Sequence, residues 1–196
     1  MYSKAGGVHV PNARGMVKVL PDIASIAVRV KVQASDPKAA PQALERALAS
    51  LAPVVAPAVV HAIGYRSSSE TPSSKGLFGG GSRTTAEATC RVELSLAEDD
   101  AYVARASAVE GLRERLERAP LEDAAVVVGE SRFAIADPEK HRAEATRVLH
   151  ARVCDSAQAC GMQLDRLEVD TTLHVEVAGP CEAFVSVAGS ARFRPG

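Results

Sequence analysis

One run of alternating residues constrains the fold of this chain more than any other feature. Across residues 24–34, apolar residues hold every second position, and polar or small residues hold the positions between them. Successive side chains of a β-strand point to opposite faces of a sheet, so this period of two predicts a strand with one buried and one solvated face. Residues 86–96 repeat the pattern. We therefore expect a core built around amphipathic strands.

Further segments are predicted to be strands because they are rich in β-branched and other apolar residues. They are residues 15–20, 58–66, 124–135, 164–177 and 184–192. Pro21 and Asp22 form a turn signal, which predicts a hairpin between the strand at 15–20 and the alternating run. Gly129 marks a bulge in its strand.

Three helices are predicted between the strands. The first and second have apolar stripes at helical spacing, at Leu44, Ala47, Leu48 and Leu51, and at Tyr102, Ala106, Val109, Leu112 and Leu116. Pro53 is expected to end the first helix, because the residue before a proline avoids the α region. Asp99 or Asp100 is a candidate cap for the second helix. Asp137, followed by a proline, caps the third helix, and Gly161 closes it.

The resulting order is ββα, ββα, βα, ββ. Adjacent strands favour antiparallel pairing, so we predict an α+β fold with largely antiparallel sheets and about three helices packed on one face. The length of 196 residues suits one domain. We expect a loose N-terminal segment at 1–14 and a single domain at 15–194.

The stretch at 67–85, SSSETPSSKGLFGGGSRTT, has the composition of a phosphate-binding loop. Such a loop needs a lysine directly after its last glycine and a helix after that. Here Lys75 precedes the glycines and a strand pattern follows, which predicts a long Gly/Ser-rich hairpin loop instead. Leu77 and Phe78 are apolar residues at its tip. Together with Lys75 they form a candidate interaction loop that contacts another molecule or folds back on its own domain.

Charge and composition argue against two kinds of partner. The net charge is -1 and aromatic residues make up 4% of the chain, so neither a positive field nor stacking platforms favour nucleic acid. No run of about 18 apolar residues exists, so no transmembrane helix is expected. The first 15 residues lack the apolar core of a signal peptide. We expect a periplasmic or secreted protein if a leader was removed, and a cytoplasmic one if Met1 is the native start.

The histidine and cysteine side chains that could bind a metal or act in catalysis do not form a predicted site. His150 and Cys154 are four positions apart on the third helix, but a closed zinc site needs four ligands. Cys160 falls on the buried stripe of that helix, Cys90 alternates inward on its strand, and Cys181 lies in a turn. We predict no metal, no cofactor and no catalytic residue.

A group of carboxylates lies at the end of the second helix and in the loop that follows it. Its members are Glu114, Glu117, Glu122 and Asp123. They alternate with arginines, which is typical of a solvated face with ion pairs along the helix. We therefore do not expect a catalytic acid pair here.

Two segments resemble the SIMPL-domain family of bacterial secreted and periplasmic proteins. Residues 15–30, GMVKVLPDIASIAVRV, look like its opening strand, Pro-Asp turn and second strand. Residues 137–170 are similar to its late Ala-rich helix, which ends in a glycine and a short leucine-containing turn into a strand; the matching residues are Ala157, Gly161, Leu164 and Leu167. The resemblance implies a non-enzymatic envelope module, some members of which form oligomers, and it implies no catalytic residues.

The sequence therefore favours a structural or interaction module that forms a homo-oligomer or binds an envelope protein. Exposed strand edges offer one route to such assembly. The alternative is a small-molecule-binding domain with a pocket between sheet and helices. An enzyme with a site assembled from dispersed residues ranks third.

Overall fold

The computed structural model of the chain describes residues 8–70, 83–98, 101–121 and 123–196. Its elements follow the order ββα, ββα, βα, ββ, which confirms the α+β prediction. The strands are β1 (Val8–Val19), β2 (Ile23–Ala34), β3 (Val59–Glu70), β4 (Arg83–Ser95), β5 (Ala124–Ala134), β6 (Met162–Gly179) and β7 (Glu182–Pro195). The helices are α1 (Ala39–Val55), α2 (Tyr102–Glu117) and α3 (Arg142–Ala159), and a short 3-10 helix, Pro138–His141, precedes α3.

The strands form two antiparallel sheets, and the chain divides into two compact units around them, where the sequence predicted one domain. The four-stranded unit, Asp22–Ala134, has the strand order β3-β4-β2-β5. The three-stranded unit combines Met1–Pro21 with Ile135–Gly196 and has the order β1-β7-β6.

The predicted hairpin between the first two strands is wrong, because β1 pairs with β7 and β2 pairs with β4 and β5. The main chain of Asp22 shows why. Its N–H donates to the Ala134 carbonyl at 3.1 Å, and its own carbonyl accepts from the Leu96 N–H at 2.9 Å. The chain after Pro21 is thus tied to the ends of β4 and β5 and does not turn back along β1.

The core of the four-stranded unit lies under α1 and α2, on one face of the sheet. The alternating residues of β2 and β4 behave as predicted: Val28 is paired with Cys90 and Val30 with Ala88, and all four are buried. α1 adds Leu44 and Leu51 to this cluster, and α2 adds Leu112 and Leu116. Burying a side chain of this size contributes about 1.5–3 kcal/mol.

In the three-stranded unit, α3 covers the face of the sheet that carries Val187, Ala191 and Phe193 of the central strand β7. The helix contributes Leu149 and Val153 to the same cluster. Residues 8–14, predicted to be a loose segment, form the first half of β1 and pair with β7 through a bulge between Val10 and Ala13. Backbone pairing fixes this segment although its side chains are mostly exposed.

The predicted end of α1 at Pro53 is also wrong, since the helix continues to Val55. The helix ends before the next proline, Pro57, and Ala56 takes the extended ψ of 139° that a residue before proline favours. Pro53 has no N–H to donate to the Ala49 carbonyl, and the helix continues for only two residues beyond it.

Other local predictions are confirmed. The Asp137 side chain caps the turn by accepting from the Glu139 N–H at 3.1 Å, although this turn is a 3-10 helix. Gly161 follows α3 with a φ of 63°, a conformation that favours glycine. The register of β5 against β2 shifts between Ser131 and Val128, which confirms the bulge at Gly129. Asp99 and Asp100 lie outside the described residues.

Candidate interaction surface on strand β3

The stretch predicted to be a hairpin loop does connect two antiparallel strands. β3 and β4 stay paired out to Glu70 and Arg83, so both ends of the 67–85 stretch belong to the strands. A strand follows the connection, and the strand–loop–helix arrangement of a phosphate loop is therefore not formed here. The candidate interaction residues Lys75, Leu77 and Phe78 lie outside the described part of the chain.

β3 is an edge strand with exposed apolar side chains. It pairs with β4 on one side and forms one edge of the four-stranded sheet. Val59, Ile63 and Tyr65 are 55%, 62% and 59% exposed. Ala62 pairs with Cys90 and Gly64 with Thr89, so Ile63 is an extra residue and the strand is bulged at this point.

An apolar groove runs between β3 and α1. α1 lies mainly over β2 and β4, so it leaves the helix-facing side of β3 partly uncovered. The groove has a volume of about 410 Å³. Its walls are Pro41, Leu44 and Leu48 of α1 and Ala62, Ile63 and Tyr65 of β3. Ile63 and Tyr65 thus form an exposed apolar ridge directly beside an apolar depression, and we call the two together the β3 surface.

The sheet face away from the helices is polar near β3. His61 Nε2 lies 3.3 Å from a carboxylate oxygen of Glu93, and the Arg91 Nε donates to the other oxygen of that carboxylate at 2.9 Å. Arg66 is the cross-strand neighbour of Glu87. The charged side chains of this face are thus largely paired with one another. Val59, the cross-strand neighbour of Glu93, adds one exposed apolar side chain to the same face, whereas the β3 surface exposes a continuous apolar area.

The residues considered as metal ligands do not form a set of three or more among the described residues. The Cys154 sulfur lies 3.7 Å from His150 Nδ1, as their spacing on the helix predicts. Cys160 is exposed, contrary to the prediction that it lies on the buried stripe, because it stands beyond the last residue of α3 and leaves the helical periodicity. Within the described ranges, no three His, Cys, Asp or Glu side chains are placed to hold a metal ion.

The other cysteines differ in environment. Cys90 is fully buried in the core, as predicted, and burial raises the pKa of its thiol. Cys181, in the turn between β6 and β7, is half-buried. All four cysteines are free thiols.

The carboxylates of α2 form ion pairs along the helix, as predicted. Arg113 pairs with Glu117 at 3.1 Å and Arg118 with Glu114 at 3.5 Å, and all four side chains are exposed to a large degree. Asp123 follows the helix in a left-handed conformation with a φ of 55°. Glu122 lies outside the described residues.

One buried charge was missed from the sequence. Arg105 of α2 is completely buried, and one of its guanidinium nitrogens donates to the Ala97 carbonyl at 2.5 Å. Tyr102, predicted to lie on the apolar stripe, is 61% exposed. Arg105 precedes Val109 and Leu112 at helical spacing, which places it on the buried face of α2. A pattern defined by apolar residues alone does not include an arginine.

The apolar residues of β3 were also missed as surface features. Val59, Val60, Ile63 and Tyr65 fall on both phases of the strand, which indicates apolar contact on both sides. That signal is in the sequence, but nothing in the sequence shows that β3 lies at an edge.

Comparisons with known proteins add little to this picture. No protein-family model matches the chain, and no curated protein matches it either. Among solved structures, the chain is similar to an uncharacterized conserved protein from Listeria innocua, with 11% identity and a TM-score of 0.21 over 91% of this chain and 93% of that one. None of the described helices is long and apolar enough to cross a bilayer.

Proposed function

We propose that the chain is a SIMPL-like, non-enzymatic interaction module of the bacterial envelope that self-associates through the β3 surface. The observation that carries the proposal is the ridge of Ile63 and Tyr65 beside the groove between β3 and α1. The resemblance of residues 15–30 and 137–170 to the SIMPL-domain family supports the assignment to the envelope.

The occupant we propose for the groove is the β3 surface of a second copy. A twofold contact requires a patch that is complementary to itself. A ridge and a depression side by side meet this requirement, because each copy can place Ile63 and Tyr65 in the groove of the other. A stable interface buries about 800 Å² on each partner, which is more than one edge strand offers, so the adjoining surface of α1 is part of the contact.

Sedimentation velocity across a concentration series tests the proposal. We expect the wild-type chain to dimerise at micromolar concentration, and the Ile63→Thr and Tyr65→Thr double variant to remain monomeric. Threonine keeps strand propensity while removing apolar area. Burying one such side chain contributes about 1.5–3 kcal/mol and each substitution acts twice in a twofold dimer, so the dissociation constant should rise at least about a hundredfold.

Val127→Thr is the matched control. Val127 lies on β5, the other edge of the same sheet, and is 55% exposed. This variant should dimerise like the wild type. A wild-type chain that stays monomeric would remove self-association, and an equal loss of dimer in the Val127 variant would show that the β3 surface is not its location. A Leu77→Ser and Phe78→Ser variant tests the candidate loop separately.

The groove also supports a second candidate, a small-molecule-binding domain. Its volume of about 410 Å³ lies within the range of roughly 300–1,000 Å³ that is typical of ligand pockets. An apolar ligand should raise the melting temperature of the wild type by mass action. Leu48→Ser, on the opposite wall of the groove, should abolish that increase, and a ligand that stabilises this variant equally does not bind there.

The envelope assignment is tested by fractionation. The protein expressed from its own chromosomal gene should be recovered with periplasmic markers. Recovery with cytoplasmic markers would contradict the envelope assignment and leave the self-association proposal intact.

A further inference from the structure

Three basic side chains form a row across the three-stranded sheet. Arg192 of β7 pairs directly with His9 of β1 on one side and with Arg166 of β6 on the other. Ala191 and Phe193 pack under α3, so Arg192 and its two neighbours lie on the opposite, solvated face. Neighbouring strands are about 4.8 Å apart, which brings three potential cations within the reach of one small ligand.

The charges of this row are not balanced by the protein. Like charges directly opposite each other on neighbouring strands destabilise a sheet. One carboxylate lies near, Glu168, which accepts from the Arg166 Nε at 2.9 Å. Within the described ranges, neither His9 nor Arg192 takes part in an ion pair. The two guanidinium groups and one carboxylate leave a net charge of +1 in the row, and the His9 imidazole adds an N–H donor beside them.

A small depression lies between these side chains. It has a volume of about 40 Å³ and is lined by His9, Arg166, Glu168, Ser190 and Arg192. A water molecule needs about 10–15 Å³ by the same measure, so the depression holds roughly three water molecules. That is the size of a tetrahedral oxyanion and too small for a nucleoside or a sugar. The Ser190 hydroxyl adds a neutral donor beside the guanidinium groups.

We propose that this basic row binds a phosphate group. The guanidinium groups of Arg166 and Arg192 present planar sets of N–H donors that match phosphate oxygens. His9 contributes a further donor, and bound phosphate relieves the repulsion between Arg192 and its neighbours. The site lies in the three-stranded unit and does not depend on the β3 surface.

Titration with inorganic phosphate, followed by amide chemical shifts at constant ionic strength, tests the site. We expect saturable shifts at Ser190 and Arg192, with a dissociation constant on the order of 1 mM because the site is open to solvent. Arg192→Gln should weaken binding about tenfold or more, as loss of a charge-assisted hydrogen bond does. Arg147→Gln, an exposed substitution on α3, is the control and should bind as the wild type does.

A second measurement separates binding from folding. Phosphate should raise the melting temperature of the wild type and of the Arg147 variant, but not that of the Arg192 variant. Without phosphate, the Arg192 variant should be at least as stable as the wild type, because one repulsive charge is removed. Two results would overturn the proposal. One is chemical shifts that do not saturate at a phosphate concentration about tenfold above the expected dissociation constant, and the other is an Arg147→Gln variant that loses phosphate affinity as much as Arg192→Gln does.

The source of the phosphate group is resolved by a parallel experiment. Vesicles of phosphatidylcholine and phosphatidylglycerol are mixed with the wild type and the Arg192 variant and sedimented. Cosedimentation of the wild type alone identifies a lipid headgroup as a source. Phosphate binding without cosedimentation identifies a soluble phosphate as the source.

Discussion

Replacing Gly15 by alanine is the sharpest test of how the three-stranded unit is packed. Gly15 lies on β1 where α3 crosses the strand. A Cβ at this position would meet the Ala145 carbonyl oxygen and the Leu149 backbone nitrogen, and would lie 2.6 Å from the Leu149 Cβ. Two of these atoms belong to the helix backbone, so no side-chain rotation relieves the clash.

The size of the effect follows from that geometry. Carbon atoms pack at about 3.5–4.0 Å, so α3 must move by roughly 1.2 Å to accept the methyl group. That movement disturbs the cluster around Leu149 and Val153, both of which are buried. Adding a methylene to a packed core costs about 1–3 kcal/mol and occasionally more. We expect Gly15→Ala to reduce the free energy of unfolding by about 3 kcal/mol, at the upper end of this range, because the obstacle is backbone.

Urea unfolding followed by hydrogen exchange of the α3 amides provides the measurement. Hydrogen exchange is needed because the chain has two compact units, and a single urea transition need not report on the unfolding of both. Gly111→Ala is the control, since a Cβ at this exposed position of α2 would have no atom within 4 Å. There, alanine should stabilise α2 by about 0.5–1 kcal/mol through its higher helix propensity.

A free energy of unfolding for Gly15→Ala within about 0.5 kcal/mol of the wild-type value, the range usual for neutral surface substitutions, would contradict this prediction. That result would mean that α3 does not pass so close to β1. Gly189→Ala provides an independent check, because a Cβ there would lie 2.5 Å from the Glu168 carbonyl oxygen and 3.1 Å from Leu149 Cδ2. Both variants should weaken the same unit.

Three further predictions concern individual side chains. Arg105→Ala should cost at least about 2 kcal/mol in urea unfolding, because it replaces a completely buried side chain by a cavity and removes the donor to the Ala97 carbonyl. The hydrogen bonds from Arg142 lower the pKa of Glu139, so this carboxylate stabilises the fold above its ordinary pKa of 4.5, and that contribution is lost as pH falls through the lowered value. Glu139→Gln should therefore flatten the acid side of a plot of stability against pH. Cys160, which is exposed, should react first with a thiol reagent followed by mass spectrometry, whereas Cys90 should react only when its unit unfolds.

The sequence predicts those parts of the fold that depend on local periodicity. The alternation in β2 and β4 gives the buried face of each strand, and Asp137 and Gly161 mark the ends of the helical segment between them. These features depend on a few neighbouring residues, and local geometry decides them. The element order and the α+β class follow from the same information.

The pairing of strands that are distant along the chain cannot be predicted from the pattern of neighbouring residues. Nothing local to the Pro-Asp turn shows that β1 belongs with β7, more than 160 residues away along the chain, because the choice depends on which edges are open after the whole chain has collapsed. The predicted stripe of α2 is confirmed at Val109, Leu112 and Leu116, which are buried, and is wrong at Tyr102, which is 61% exposed. Arg105 is buried because a main-chain carbonyl lies within its reach, and that carbonyl belongs to the segment before the helix.

The β3 surface could be predicted from the sequence only in part. Val59, Val60, Ile63 and Tyr65 give β3 the pattern of a strand that is covered on both sides, but the sheet order places it at an edge. β5, the other edge strand, exposes a single large apolar residue, Val127. A sequence whose local pattern disagrees with its position in the fold indicates a functional site or a missing contact. For β3 the uncovered area is apolar and lies beside a groove. In the dimer that we propose, a second copy of the same surface supplies both the side chains and the depression that this contact requires.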